Sequence, residues 1–308
     1  MKIILSRKGF DKENGGVASP IFRDNGLCSL PIPSPWLQRH PPEPRYRVSY
    51  QDLSYDCQDL GSVVEDLTLN RRTGKPRVSG TDLCHLDPDL IHDARVRKRG
   101  WLPMFGQGNA AAAHLLNQGV REGDLFLFFG WFHKLGEDEE RNKFDPAQQD
   151  VHVIFGWLQV GNIWCEFKKE PVLPKWARYH PHVQGDVKRF CHLSEPADVI
   201  FIAKRRLEIP GIRRRLPGGG VFWEYHRDLQ LTQLGKSRGH WKLPFWMYPT
   251  AGRTPMTYHP KRRNWKKGEA CCYLEAADIG QEFVLDCDCG YPVSSTQSWL
   301  ARLFSHAD

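Results

Sequence analysis

The sequence predicts an α+β fold: a mixed or antiparallel sheet curled into a barrel-like core, with helices at its periphery. Two apolar runs carry most of that expectation. Leu125 to Phe132 and Val151 to Val160 are apolar on both alternating faces. Strands of this kind are enclosed in a core, because a half-solvated strand alternates apolar with polar residues. A tight Gly123-Asp124 turn enters the first run. The polar segment Lys134 to Gln149, with Glu137-Asp138-Glu139-Glu140 within it, leads to the second as a solvated hairpin tip. The third observation is scarcity of helix: clear helical signals occur at Asn109 to Gln118 and Ser295 to Phe304.

In chain order, Lys2 to Ser6 reads as a first strand that stops at the polar segment Arg7-Lys8-Gly9-Phe10-Asp11. Gly15-Gly16, Pro20 and the prolines from Pro31 to Pro44 then forbid long elements, and residues 31–46 read as an extended surface strap. Gly61 to Leu69 reads as a short strand, Arg71 to Ser79 as a loop, and Cys84 to Leu90 as a structured loop. Asn109 is expected to cap a helix of four alanines that ends at Gly119. Gly130-Trp131-Phe132 and Gly156-Trp157 mark bulges or close backbone approaches in the core hairpin.

Further on, Ala197 to Ile209 reads as a strand, Leu216 to Gly220 as a Gly-rich turn, and Val221 to Leu231 as extended chain. Gln281 to Asp286 reads as a late strand, and the last helix docks through Trp299, Leu300, Leu303 and Phe304. With no internal repeat and no linker, residues 1–308 read as one domain. The barrel-like core falls near 100–235, with a C-terminal extension at 240–308.

Of the 308 residues 40% are hydrophobic and 11 are Trp, which suffices for a sizeable core and excludes a disordered chain. No apolar run reaches the roughly 18 residues of a membrane span, and MKIILSRKGF carries charge too early for a secretory leader. A cytoplasmic protein without membrane contact is expected. The nine cysteines, odd in number and irregularly spaced, read as thiols.

The net charge of +7 gathers in three clusters: Arg95–Arg99, Lys204–Arg206 with Arg213–Arg215, and Lys261–Arg263 with Lys266-Lys267 around Trp265. Cations interleaved with aromatics suit a polyanion whose bases stack. Solvated surface loops fit the same pattern. No Walker loop, GxSxG elbow, HExxH helix or dinucleotide-binding GxGxxG unit in the right context occurs.

Three places are candidates for chemistry. In Ser6-Arg7-Lys8-Gly9-Phe10-Asp11 with Asn14, cations and a carboxylate sit at the end of a buried strand beside glycines. There Arg7 and Lys8 suit phosphate, and Asp11 suits a base or metal ligand; an ordinary polar turn is the alternative. The second joins His85, Asp87 and Asp89 to Gln107, His114, Asn117 and Gln118. Its two near carboxylates permit acid–base or divalent-metal chemistry, whereas Pro88 between them also makes a stiff structural turn. The third is Cys271-Cys272 with Cys287 and Cys289, which lacks a CxxC knuckle and for which no metal is expected. His133, His152, His180 and His182 read as packed or exposed residues.

SRKGFD, NGG and SPIF near the start, LPIP at 30–33, HLDPDL at 85–90, FGQ before HLLNQGV, GDLFLFFGWF, HVIFGWLQVG and QEFVLD occur in this order. The series resembles the third type of nucleotide-modification-associated domain, a family of bacteria and phages. That resemblance implies action on DNA bases or nucleotides, without supplying a reaction or a cofactor. It places Arg7, Lys8, Asp11, His85, Asp87, Gln107, His114, Asn117 and Gln118 within the matching motifs. The central hairpin also looks like that of PUA/ASCH-type base-binding barrels, an analogy of fold alone. The Cys-rich tail and the basic 261–267 run fall outside the motifs.

The expectation is therefore a DNA base- or nucleotide-modifying enzyme. Arg7, Lys8, Asn14, His85, Gln107, Asn117 and Gln118 would hold the nucleotide, Asp11, Asp87 and His114 would act on it, and Trp131 or Trp157 would stack on its base. DNA or a nucleotide is the expected partner, with other base-modification proteins beside it. A non-catalytic reader of modified bases is the alternative, and a structural partner in a modification complex the third.

Overall fold

In the computed structural model, residues 1–55, 58–137, 141–165, 172–184, 198–276 and 281–307 are described. Among them eight strands form a central mixed sheet: β1 (Lys2–Arg7), β2 (Ser19–Ile21), β3 (Met104–Gly108), β4 (Leu125–Lys134), β5 (Val151–Cys165), β6 (Asp198–Ala203), β7 (Gly219–Val221) and β8 (Glu282–Asp286). The order is β8-β1-β4-β5-β6-β3, with β2 on β4 and β7 on β5. β1 lies parallel to β4, Arg7 opposite Phe129, and antiparallel to β8. Flanked on both edges and covered on both faces, β1 buries Ile3, Ile4 and Leu5 in succession.

The two apolar runs pair as expected, antiparallel through β4 and β5. Their irregularity lies between Phe128 and Phe129, where Phe155 is the extra residue before Gly156. β5 outruns β4, and its far half pairs with β6 beyond a second register shift at Val160.

The sheet curls over its own concave face. Phe105 of β3 packs edge-on against Phe126 and Phe128 of β4 at 5.0 and 5.2 Å, although β5 and β6 separate these strands in the sheet. At the far end Gln107 of β3 donates to Glu282 of β8 at 2.6 Å. The two edges thus meet through side chains, and no backbone ladder joins them among the described residues. The PUA/ASCH-like closed barrel is therefore not found, and a large mixed sheet stands in its place. Apolar runs show that strands are enclosed; closure of the sheet and cover by other layers leave the same pattern.

The supposed extension contributes directly to this sheet, since β8 is the antiparallel neighbour of β1. Residues 240–244, 265–267 and 271–275 add a separate three-stranded sheet. One apolar cluster runs from Ile3 to Ala307. A smaller one joins Trp101, Met104, Ala177, Ile200 and Ile202 on the outer face.

Helices are few. The run 61–69 is helical up to Leu67, and only Leu69 enters a two-residue strand, Leu69–Asn70: α1 (Leu60–Leu67) is capped by Asp59, whose side chain accepts from the N–H groups of Gly61 and Ser62. Leu60, Val63, Val64 and Leu67 are its buried face, a helical period that the adjacent valines disguise. The proline-rich strap contains a short strand at Ile32–Pro33, paired with Cys84–His85, and a helical turn at Pro35–Arg39. α2 (Asn109–Asn117) begins with Gly108 in the capping position and no side-chain cap. α3 (Val293–Phe304) docks through Trp299, Leu300, Leu303 and Phe304 as expected. Residues 216–220 lead into β7 on the core hairpin. No helix among the described residues is long and apolar enough to cross a membrane.

Candidate functional site

β1 ends at Arg7, and the chain then turns across the end of the sheet. Asp11 closes that turn by accepting from the N–H groups of Glu13 and Asn14 and from the Asn14 amide. Gly15 follows at φ +87°, where a Cβ would strike the Phe10 ring at 2.2 Å, so glycine is required. Beyond the turn lies a cavity of about 480 Å³. Its walls bring together Arg7, Lys8 and Lys12 from the turn, Trp131 and His152 from β4 and β5, and Lys236 and Arg238 from a distant loop. Asp11 and Asp150 are its carboxylates. The cavity stands at the carboxyl end of the parallel pair β1/β4, where sheet folds commonly place ligands.

Lys8 is held by burial and charge. Its Nζ lies 2.9 Å from Glu282 Oε1 and 4.6 Å from the Phe105 ring centroid. Glu282 is only 1% exposed and also receives Gln107. Lys8, Glu282 and Gln107 therefore clamp β1, β8 and β3 behind the cavity. At its front, the Arg238 guanidinium sits 4.3 Å from the centroid of the half-buried Trp131 ring.

His152 is buried, and its Nδ1 accepts the indole N–H of Trp241 at 3.0 Å. Indole only donates, so the imidazole proton resides on Nε2. Burial first, then Arg7 and Arg238, hold its pKa well below the ordinary value. His152 is accordingly a neutral hydrogen-bond donor lining the cavity, suited to a carbonyl or phosphate oxygen.

A second group of polar residues lies on the other face of β3. Asp87 Oδ1 accepts the Gly106 N–H at 2.8 Å. His180 Nε2 is 3.2 Å from Asp87 Oδ1, in a geometry that makes no hydrogen bond. His182 Nε2 and His85 Nε2 lie 3.7 and 4.0 Å from Oδ2. Asp198 at the start of β6 bonds His182 Nδ1 at 2.7 Å. Burial alone would raise Asp87 and lower His182. The contacts with His180 and His182 outweigh it and keep Asp87 ionised far below the usual range. The bond to Asp198 and the nearby Asp87 carboxylate likewise push His182 up to about 9.

The expected residues thus fall into separate settings. Arg7, Lys8, Asp11 and Trp131 share the cavity, with Asn14 supporting Asp11. His85 and Asp87 belong to the buried histidine group, and Gln107 to the Lys8–Glu282 clamp. His114 is half-buried, lies 3.3 Å from Thr257 Oγ1 and has its pKa lowered by burial. Asn117 is exposed and Gln118 half-buried at the end of α2. Asp11, Asp87 and His114 do not share one pocket. Trp157 is 1% exposed and bonds the Pro217 carbonyl, so its ring offers no face to a base. Asp89 stands apart from Asp87, in a buried ion pair with Arg97 at 2.6 Å.

The same pair removes Arg97 from the basic surface, and Arg95 stacks on Tyr179 at 4.8 Å. Lys204 pairs with Glu122 and Glu208. Arg213–Arg215 and all five cations of the 261–267 run stay exposed. Cys271, Cys272, Cys287 and Cys289 are free thiols, and no metal-ligating grouping of them occurs among the described residues.

The residues missed by sequence reasoning are Lys12, Asp150, His152, His180, His182, Asp198, Lys236, Arg238 and Glu282. His180-Pro181-His182 and His85-Leu86-Asp87 place ligating side chains two apart, the one local signal that the second group leaves in the sequence.

The chain matches the family described as nucleotide modification associated domain 3 over residues 2–286. It belongs to that family. The match takes in both polar groups and also the basic 261–267 run set apart above. No curated protein and no solved structure shows a match to the chain.

Proposed function

We propose that the chain binds a nucleotide, or a base displaced from DNA, in the cavity beyond β1 and takes part in its modification. The observation that carries this reading is the composition of that cavity. Arg7, Lys12, Lys236 and Arg238 line it, beside the clamped Lys8, with a half-buried Trp and a neutral histidine that donates from Nε2. Cations suit phosphate, the indole suits a base, and the His152 donor suits a base carbonyl. A volume of about 480 Å³ fits the roughly 300–1,000 Å³ of small-ligand sites. A base in a duplex must leave the stack to enter, which favours single strands or extruded bases. The exposed Arg213–Arg215 and 261–267 cations suit the strand on either side.

Within the cavity Asp11 and Asp150 are the carboxylates available for proton transfer, Asp150 being oriented by His133 at 2.8 Å. A reader of modified bases would use the same cations and the same indole without them. Mass spectrometry of nucleosides from DNA of cells with and without the protein separates the two. A nucleoside that appears or disappears with the protein supports modification. Unchanged nucleosides, with binding that depends on modification of the DNA, favour the reader.

A further inference from the structure

We infer that His85, Asp87, His180 and His182 bind a divalent first-row transition-metal ion through imidazole and carboxylate donors. One ligand atom from each of His85, Asp87 and His182 falls within 4.8 Å of the others. Donors about 2.1 Å from a zinc-sized ion stand roughly 3 to 4 Å apart, so shifts on the order of 1 Å bring these three to bonding distance, and His180, whose Nε2 is 3.2 Å from Asp87 Oδ1, stands beside them as the fourth donor. The supports of a metal site are in place around them. The Gly106 N–H occupies Asp87 Oδ1, while Oδ2 lies nearer His85 and His182. Asp198 holds His182 Nδ1, the carboxylate–histidine relay that turns Nε2 toward a metal.

An independent observation concerns His180. Its side chain is 0% exposed, and neither ring nitrogen makes a hydrogen bond among the described residues. Protein interiors seldom leave such a group unsatisfied, and a metal would take one of its lone pairs. Gly106 makes room for the arrangement: a Cβ there would lie 2.4 Å from His182 and 2.7 Å from His180. An all-imidazole-and-carboxylate set suits zinc, iron, cobalt, nickel or manganese. The other such grouping, His226, Asp228 and His306, is more exposed and already has Arg302 3.6 Å from Asp228.

The competing arrangement is a protonated His182 shared between Asp87 and Asp198, with no metal. Tag-free full-length protein, stripped with a chelator, separates them on titration with Zn²⁺ and Co²⁺ by calorimetry and absorption. The expected result is one equivalent bound at micromolar affinity or tighter. The Co²⁺ complex should show weak visible bands and lack intense near-ultraviolet thiolate absorption. His180→Gln and His182→Gln should each weaken binding roughly tenfold or more. Absence of saturable binding, a thiolate band, or unchanged affinity in both variants overturns the assignment. If the variants do not fold, stoichiometry and the Co²⁺ spectrum of the wild-type chain decide.

Discussion

Trp241 donates its indole N–H to His152 Nδ1 across 3.0 Å, and this bond decides which nitrogen of His152 carries the proton. Trp241→Phe removes the donor and leaves a buried nitrogen unsatisfied. A loss of about 1–3 kcal/mol of stability is expected from the orphaned acceptor. Nitrogen NMR of the imidazole should show a single Nε2–H tautomer in the wild type and a mixture in the variant. Denaturant unfolding measures the stability change.

Lys8→Met should be among the costlier single changes in the chain. It strands Glu282, leaving the Gln107 amide as the hydrogen-bond donor to its carboxylate among the described residues. Removing one partner of a buried ion pair costs about 3–5 kcal/mol. Lys8→Met with Glu282→Leu should cost less than the two single changes summed, because the second removes the stranded charge. Unfolding midpoints of the three variants test this.

Gly106→Ala places a methyl 2.4 Å from the His182 ring and 2.7 Å from the His180 ring, both buried, so the rings must shift. Overpacking of this kind costs about 1–3 kcal/mol. The same change should broaden or shift the ring signals of His180 and His182 in NMR while leaving those of His152 in place.

Stability should fall on both sides of neutrality, for opposite reasons. His182 is raised from 6.5 to about 9, so its stabilising contribution is whole below about pH 6.5 and is lost as pH rises through 9. His152 and His180 are depressed below 6.5 by burial above all. The unfolded chain therefore takes up protons first as pH drops below 6.5, and folding is penalised there. Asp87, held low, adds its own loss below pH 3.8. In metal-free protein His182→Gln should flatten the alkaline limb, by a few kcal/mol at most since one pKa unit is worth about 1.4 kcal/mol. Unfolding free energies from pH 5 to 9.5 check both limbs.

Much of the scaffold was legible because apolar patterning reports burial directly. β1, β4, β5, β8 and α3 stand close to where their residues suggested, while β6 ends at Ala203, short of the Ile209 expected. The curl was not legible, since Phe105 meets Phe126 and Phe128 only after two intervening strands are laid down. α1 was misread because Val63 and Val64 are good strand formers and Asp59 caps from outside the run. The turn at Arg7, Lys8 and Asp11 announced itself by charge beside glycine. Its partners Lys236 and Arg238 lie more than two hundred residues away, and no local pattern links them. His180 and His182 meet Asp87, and Asp198 meets His182, after the chain has run on well beyond any local pattern.

The binding constant of a fluorescently labelled single-stranded oligonucleotide, for the wild type and for Trp131→Ala, Lys236→Ala and Arg238→Ala, tests the cavity most directly. Loss of the stacking platform should weaken binding roughly 5- to 150-fold, from about 1–3 kcal/mol per stacked base. Each lost cation should weaken binding and lower the salt slope by about 0.7, the single-strand value per phosphate contact. Wild-type binding with all three folded variants indistinguishable from it, in affinity and in salt slope, would contradict the cavity as the nucleotide site.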